Sequence, residues 1–219
     1  MNSYVDARLT ADRIFEAFPQ ARILICIREQ KGMVLSLYSE YMKQGETTTI
    51  EEFIGVDGRR PGAAPLCDIE QLEYHHLIAY YQNLFGKDRV LVLPFERLSK
   101  SPTEFLQTIL NFADSPGLPD VPALVRNRAL GAGTLALRRS LNRWCKEPDF
   151  TRPRQPISWR LLTRFSNVAD RLMPASVNES VARRLRGAVE QHVGNRFALS
   201  NRQTSELVGC DLAELGYDI

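Results

Sequence analysis

Two residues that could bind a phosphate group follow the first apolar segment of the chain. The run RILICI ends at Ile27, Arg28 comes next, and Ser36 follows eight residues later in a segment with a helical pattern. If the run is a strand of a parallel sheet, Arg28 stands at its carboxyl end, where such sheets bind ligands. The N-terminus of the following helix attracts anions, so a guanidinium, a hydroxyl and a helix end would converge on a phosphate. The alternative is that Arg28 caps a neighbouring helix and Ser36 bonds to its own backbone, and the spacing alone favours neither.

The elements that would position these residues can be predicted from hydrophobic periodicity. We expect a helix over Ala7–Phe18, a strand over Arg22–Ile27, a helix over Gly32–Met42 and a loop over Gly45–Pro65. The strand is continuously apolar, and this pattern is typical of burial on both faces in a parallel sheet.

The next segment predicts a second strand–helix unit. Asp68–Phe85 has the spacing of a helix capped by Asp68 and ended by Gly86, with one face formed by Ile69, Leu72, His76, Tyr80 and Leu84. RVLVLP, Arg89–Pro94, is a second apolar strand, and Pro102–Phe112 is a helix with Ser101 at its N-cap. This order predicts an α/β fold with a short parallel sheet.

Beyond residue 122 the patterns are helical or loop-like. Near the end of the chain, Ser200 with Gln203 and Asp211 with Glu214 have the spacing of capping boxes, with Gly209 and Gly216 as the stops. We therefore expect one domain over 1–219, with strand–helix units in 1–121 and a helical, basic part in 122–219.

Composition and charge narrow the function classes. The chain has 219 residues, 44% of them hydrophobic and 25% charged, and it has no apolar window of membrane-spanning length. The N-terminus lacks the apolar core of a secretory signal, and four scattered cysteines indicate a reduced, cytoplasmic location. From Arg126 to Arg202 there are 16 Lys and Arg against 5 Asp and Glu, which suits either an anionic ligand or a solvated helical surface.

The order of these segments resembles a known family. Arg28, Ser36 and Tyr38, in R-EQKGMVL-S-L-Y, resemble the 3′-phosphate-binding segment of bacterial-type sulfotransferases that use 3′-phosphoadenosine 5′-phosphosulfate (PAPS). The likeness continues through LIAYYQNLFGKDRVLVLPFERLSKSPTEFLQTILNFA, RNRALGAGTLALRRSLNRW and FALSNRQTSELVGCDLAELGY, and so spans nearly the whole chain.

This resemblance implies a P-loop-NTPase-like sulfotransferase fold and transfer of a sulfuryl group from PAPS to an acceptor hydroxyl or amine, with a carbohydrate as one candidate acceptor. It also implies that Arg28 and Ser36 bind the 3′-phosphate. Two further contacts are implied, Gly131 in the loop Ala129–Arg139 and Arg128 just before that loop. Glu96 falls at the family's Glu-x-Leu position, where we interpret it as a capping or pairing residue and not as the general base.

The chain departs from the family pattern in two places. Glu29 and Gln30 stand where the family has Asp or Asn followed by Pro. The family's strand and phosphate loop with Lys, Gly and Thr, and its usual base, precede the 3′-phosphate strand, and we expect this chain to be truncated before them. No catalytic residue is assigned. On this basis we expect the two strands either to pair directly or to leave open edges. We also expect the chain alone to have weak activity, and either to self-associate or to need a complementing N-terminal segment.

Other kinds of function are also compatible with parts of the sequence. A catalytically inactive sulfotransferase-like interaction protein, or a fragment, is the main alternative. A nucleic-acid-binding module would need interleaved aromatic residues and a known motif, and neither is present. No metal site is expected, because His75 and His76 are adjacent on a helix, about 100° apart, and His192 is distant in sequence. The expected partner is therefore a small-molecule or saccharide acceptor, without nucleic acid or membrane.

Overall fold

The computed structural model describes residues 3–55, 66–115, 117, 130–145 and 157–219. Within them the α-helices and β-strands are α1 Ser3–Ala17, β1 Ile23–Ile27, α2 Gln30–Lys43, α3 Ile50–Phe53, α4 Tyr74–Phe85, β2 Val90–Pro94, α5 Phe95–Lys100, α6 Pro102–Phe112, α7 Ala132–Cys145, α8 Ile157–Leu172, α9 Ala175–Val193 and α10 Ala198–Val208. Short 3-10 helices cover Ile69–Leu72, Lys87–Arg89 and Ala213–Leu215. No helix in these ranges is long and apolar enough to cross a bilayer.

The two strands form a parallel sheet. They pair directly, in a register that runs from Ile23 opposite Val90 to Ile27 opposite Pro94. The prediction of an α/β fold with a short parallel sheet is confirmed. Because parallel strands end at the same edge, the residues that follow Ile27 and Pro94 are placed side by side.

The burial of β1 differs from the prediction. Leu24 is 42% exposed and Cys26 is also exposed, whereas Ile27 is buried. In β2, by contrast, Val90, Val92 and Leu93 are all buried. The prediction of burial on both faces was therefore wrong for β1, because the described part of the chain leaves the side of Leu24 and Cys26 open.

The predicted long helix after Asp68 is divided in two. Asp68 does cap a helical turn, since its carboxylate accepts a hydrogen bond from the backbone N–H of Glu70, but that turn is a 3-10 helix and α4 begins only at Tyr74. The change of period shifts the buried face of α4 to Tyr74, Ile78, Tyr81, Gln82 and Phe85. The predicted face through His76 is therefore wrong, although Gly86, with φ of 86°, ends the helix as expected.

The predicted loop, N-cap and helix stops have different outcomes in the structure. The predicted loop over Gly45–Pro65 contains a helix, α3, whose N-terminus is stabilised by a capping box between Thr49 and Glu52. Ser200 is not an N-cap, because α10 begins earlier, at Ala198. The two C-terminal stops are confirmed, since Gly209 and Gly216 have φ of 66° and 90°.

The chain divides into two compact units. The first consists of Met1–Gly32, Asp68–Val125 and Val193–Ile219. It contains the sheet and α4, which contacts both strands as well as α1 and α10. Ile27, Ile78, Val92 and Phe197 are among its buried residues.

The second unit consists of Met33–Cys67 and Arg126–His192. It contains most of α2 together with α3, α7, α8 and nearly all of α9. The ring of Phe53 contacts Tyr38 and Tyr41, with centroid distances of 5.5 and 5.3 Å. The expectation of a single domain over 1–219 stays a prediction.

Candidate functional site

The sheet places Arg28 at its carboxyl edge, as predicted. Arg28 follows the last residue of β1 and Phe95 follows the last residue of β2, and the guanidinium carbon lies 5.3 Å from the centroid of the Phe95 ring. The hydroxyl of Tyr74 donates a hydrogen bond of 2.7 Å to the carbonyl oxygen of Arg28. These contacts hold both the backbone and the side chain of Arg28, and neither of them uses a guanidinium N–H group as a donor.

No carboxylate in the described part of the chain forms an ion pair with Arg28. Its neighbour Glu29 is directed to the first turn of α2, where its two carboxylate oxygens accept hydrogen bonds from the backbone N–H groups of Lys31 and Gly32, at 2.8 and 2.7 Å. The guanidinium is thus a cation without an acidic partner among these residues.

Glu29 also changes the expected role of the helix end. The N-terminus of α2 was predicted to attract a phosphate through its open N–H groups, but the side chain of Glu29 already satisfies two of them. The lack of a side chain at Gly32 gives this arrangement room, since a Cβ there would make a tight contact of 3.1 Å with Oε2 of Glu29 and an ordinary contact of 3.7 Å with Nε of Arg28. A phosphate bound at this position would therefore contact side chains more than the backbone of the helix end.

Glu96 joins three parts of the first unit. One carboxylate oxygen accepts a hydrogen bond from the backbone N–H of Glu29, and the other accepts one from the hydroxyl of Tyr217, both at 3.0 Å. Burial, followed by the charge of Glu96, raises the pKa of Tyr217 well above its usual value, so this hydroxyl remains a donor. The interpretation of Glu96 as a pairing residue is confirmed.

A buried amide pair fixes the start of α2 from the other side. Nε2 of Gln30 donates to Oδ1 of Asn201 at 2.6 Å, and Nδ2 of Asn201 donates to Oε1 of Gln30 at 3.2 Å. Both side chains are almost fully buried, and they also donate to the carbonyl oxygens of Leu72 and Asp218. The sequence did not predict the contacts of Gln30, Asn201, Tyr74 and Tyr217, because nothing local in it marks a residue that pairs across the fold.

In the second unit, Ser36 is the seventh residue of α2 and is partly exposed. The C-terminal end of this helix is held by two buried side chains of α7. Arg138 donates to the carbonyl oxygen of Lys43 at 2.8 Å, and Asn142 donates to those of Met42 and Glu46 at 3.0 and 2.8 Å. The carbonyl groups of Met42 and Lys43 belong to the last turn of α2, where no intrahelical N–H follows, and Glu46 lies just beyond the helix.

Gly131 lies just before α7, and its surroundings are acidic and crowded. Its N–H group donates to Oδ1 of Asp170 at 2.7 Å, and a Cβ at this position would lie 2.5 Å from Oδ1 of Asn178. Asn178 in turn accepts a hydrogen bond of 2.8 Å from the N–H of Gly133. A phosphate bound at Gly131 would have to displace the carboxylate of Asp170.

Arg128 lies outside the described residues, as does Arg126. The contribution of Arg128 to the 3′-phosphate site therefore stays a prediction.

Comparisons with known proteins identify the family. A sequence model of the "Sulfotransferase family" matches residues 8–120. Among solved structures, the chain is similar to a crystal structure of a sulfotransferase from Alicyclobacillus acidocaldarius, with a TM-score of 0.56 and 18% sequence identity. That match covers 94% of this chain and 62% of the other, so this chain spans about 62% of the length of that structure. Comparison with curated proteins finds no match. The structural likeness confirms the predicted sulfotransferase-like fold.

Proposed function

The chain belongs to the sulfotransferase family, and we propose that it binds PAPS and takes part in the transfer of its sulfuryl group to an acceptor hydroxyl or amine. The observation that carries this proposal is the guanidinium of Arg28, which stands at the carboxyl end of β1 and has no acidic partner among the described residues. Ligands of parallel sheets bind at that edge, and a free guanidinium there suits a phosphate.

The contact with Phe95 supports this role for Arg28. A guanidinium that stacks on an aromatic face keeps its N–H donors around its rim, where two of them can bind two phosphate oxygens. The ring also restricts the side chain before any ligand binds, so less conformational entropy is lost on binding.

Ser36 is proposed as the second 3′-phosphate ligand. It is four residues beyond Gly32 in α2, the spacing at which residues share a helix face. Because Glu29 already binds the N–H groups of Lys31 and Gly32, the two side chains Arg28 and Ser36 are assigned the larger part of phosphate recognition. Arg128 and Gly131 stay predictions, and Gly131 is the less suited of the two because its N–H group is bound by Asp170.

The proposed reaction moves the sulfuryl group from PAPS to an acceptor oxygen or nitrogen, releases adenosine 3′,5′-bisphosphate, and frees one proton from the acceptor. The protein would act mainly by positioning the two substrates and by stabilising charge on the departing phosphate. No general base is assigned. A carbohydrate remains the first acceptor to be assayed.

The test is calorimetric titration of the chain with adenosine 3′,5′-bisphosphate and, separately, with AMP. Arg28→Ala removes a charge-assisted hydrogen bond worth roughly 1.5–3 kcal/mol, so bisphosphate affinity should fall about 10- to 100-fold while AMP affinity changes little. Ser36→Ala should cost roughly 0.5–1.5 kcal/mol, or about 2- to 10-fold.

Matched controls exist for both substitutions. Arg22 lies at the opposite end of β1, where it pairs with the exposed Asp114, and Ser140 is exposed on α7, where its hydroxyl donates to the carbonyl oxygen of Ala136. Arg22→Ala and Ser140→Ala should leave the preference for bisphosphate unchanged. Equal binding of bisphosphate and AMP by the unmodified chain would refute the proposed recognition. Transfer of a labelled sulfuryl group, assayed over a panel of sugars and phenols, then tests the reaction itself.

A further inference from the structure

Three side chains at the start of α4 bring metal-ligand atoms together. Glu73 immediately precedes this helix and His75 and His76 lie in its first turn, and one ligand atom from each is within 4.8 Å of the other two. The two imidazole rings are 3.8 Å apart, centroid to centroid. The expectation that adjacent histidines would keep their rings apart was wrong, because the 100° separation applies to the Cβ directions while the side-chain torsions set the ring positions.

We propose that Glu73, His75 and His76 form a binding site for a divalent cation of the zinc class. Two imidazoles and one carboxylate are a donor set that suits Zn²⁺, Co²⁺ or Ni²⁺ better than Mg²⁺ or Ca²⁺. Donors about 2.0–2.1 Å from one ion lie roughly 3–3.5 Å from each other in a tetrahedral arrangement. Nε2 of His76 and Oε2 of Glu73 are already 3.5 Å apart, and each of the three residues has a ligand atom within 4.8 Å of the others, so side-chain movement alone can bring the donors to these distances.

The ring of His75 has a partner that would orient it toward an ion. Its Nδ1 lies 2.8 Å from Oγ of Ser200, a buried residue of α10 in the same unit. When Nδ1 carries the proton and donates to this hydroxyl, Nε2 is left with its lone pair for a metal. Metal-binding histidines in proteins are commonly oriented by such a bond from the other ring nitrogen.

Access and charge also suit a bound cation. The side chain of His76 is 50% exposed and that of Glu73 is 29% exposed, so an ion can enter from solvent and complete its coordination with water. The positive end of α4 opposes a cation at this place, and the carboxylate of Glu73 offsets that effect. Three protein ligands with an open position resemble a reactive or exchangeable site more than a closed structural one.

The proposal can be tested by titrating the full chain, purified without a histidine tag, with ZnCl₂. One ion should bind with a dissociation constant in the micromolar range, and MgCl₂ at the same concentrations should not bind. His76→Gln should weaken Zn²⁺ binding at least 10-fold, and Ser200→Ala should weaken it about 10-fold through the orientation of His75. His192→Gln is the matched control, since it removes the remaining histidine of the chain and should leave the affinity unchanged.

An NMR experiment keeps the test valid if the buried Ser200 variant fails to fold. The chain has three histidines, so addition of ZnCl₂ should shift the ring resonances of His75 and His76 and leave those of His192 in place. Equal Zn²⁺ affinity of the unmodified chain and His76→Gln would overturn the proposal. So would the absence of Zn²⁺ binding below about 100 μM, or shifts at His192 that match those at the other two rings.

Discussion

Replacement of Glu96 by alanine should destabilise the first unit by removing two hydrogen bonds at once. The carboxylate accepts from the backbone N–H of Glu29 and from the hydroxyl of Tyr217, each at 3.0 Å. A hydrogen bond to a charged group contributes roughly 1.5–3 kcal/mol, and a buried donor left without an acceptor costs about 1–3 kcal/mol. Tyr217 is only 4% exposed, so its hydroxyl cannot turn to water. Since these contributions overlap, we expect a loss of about 3 kcal/mol.

Urea unfolding followed by circular dichroism measures this loss. With a slope of about 3 kcal/mol per molar, the midpoint should fall by about 1 M in Glu96→Ala. Glu96→Gln retains one acceptor and should lose about half as much. A double-mutant cycle with Tyr217→Phe should return a coupling of roughly 1–2 kcal/mol between the two side chains.

Glu206→Ala is the matched control for the loss of a carboxylate. Glu206 is exposed on α10 in the same unit, so its removal should change stability by less than about 0.5 kcal/mol. If Glu96→Ala is as mild as this control, or if the cycle shows no coupling, the two hydrogen bonds do not stabilise the fold and the reasoning fails.

Three further predictions follow from single contacts. Glu29→Ala should lower the unfolding free energy by about 1 kcal/mol because a helix cap is lost, and urea unfolding measures this change. The same change should raise the affinity for bisphosphate because it releases two N–H donors, and a fall in affinity measured by calorimetry would contradict this. Gly131→Ala should cost roughly 1–3 kcal/mol because its Cβ would collide with Asn178, and Asn178→Ala should relieve most of this cost in thermal unfolding. Burial raises the pKa of Tyr217 above the usual 10.0, so the free energy of unfolding that the neutral hydroxyl contributes is present below pH 10 and falls above it. In Tyr217→Phe, the plot of unfolding free energy against pH should be flatter above pH 10.

Local patterns in the sequence predict much of the framework. The strand over Arg22–Ile27 and the helix over Pro102–Phe112 lie within one residue of the observed elements, because a short apolar run and a proline in the first turn act over a few residues. The sequence left direct pairing of the two strands and open edges as alternatives, and the structure shows direct pairing. Because Arg28 directly follows the first apolar run, its position at the carboxyl edge can be predicted from the sequence alone.

The phase of α4 could not be predicted in this way. Asp68 has the sequence of a helix cap and does act as one, but one 3-10 turn before Tyr74 rotates every later residue relative to the expected face. Hydrophobic periodicity is averaged over a window of residues, so it does not detect a single turn of 3-10 helix before an α-helix. The expected face included His76, whereas in the structure Nε2 of His76 lies 3.5 Å from Oε2 of Glu73.

Contacts between residues far apart in sequence determine the chemistry around Arg28, and periodicity carries no information on them. Gln30 and Asn201 are 171 residues apart, and Glu96 and Tyr217 are 121 apart. The same limit applies to Glu29, which departs from the family pattern and whose carboxylate accepts hydrogen bonds from the N–H groups of Lys31 and Gly32. Under the proposed binding of PAPS, these backbone donors are already occupied, so Arg28 and Ser36 would supply most of the selectivity for a 3′-phosphate. The loss caused by Arg28→Ala should then lie near the upper end of the range for a charged hydrogen bond, about 3 kcal/mol, and a loss near the lower end would mean that the helix N-terminus contributes after all.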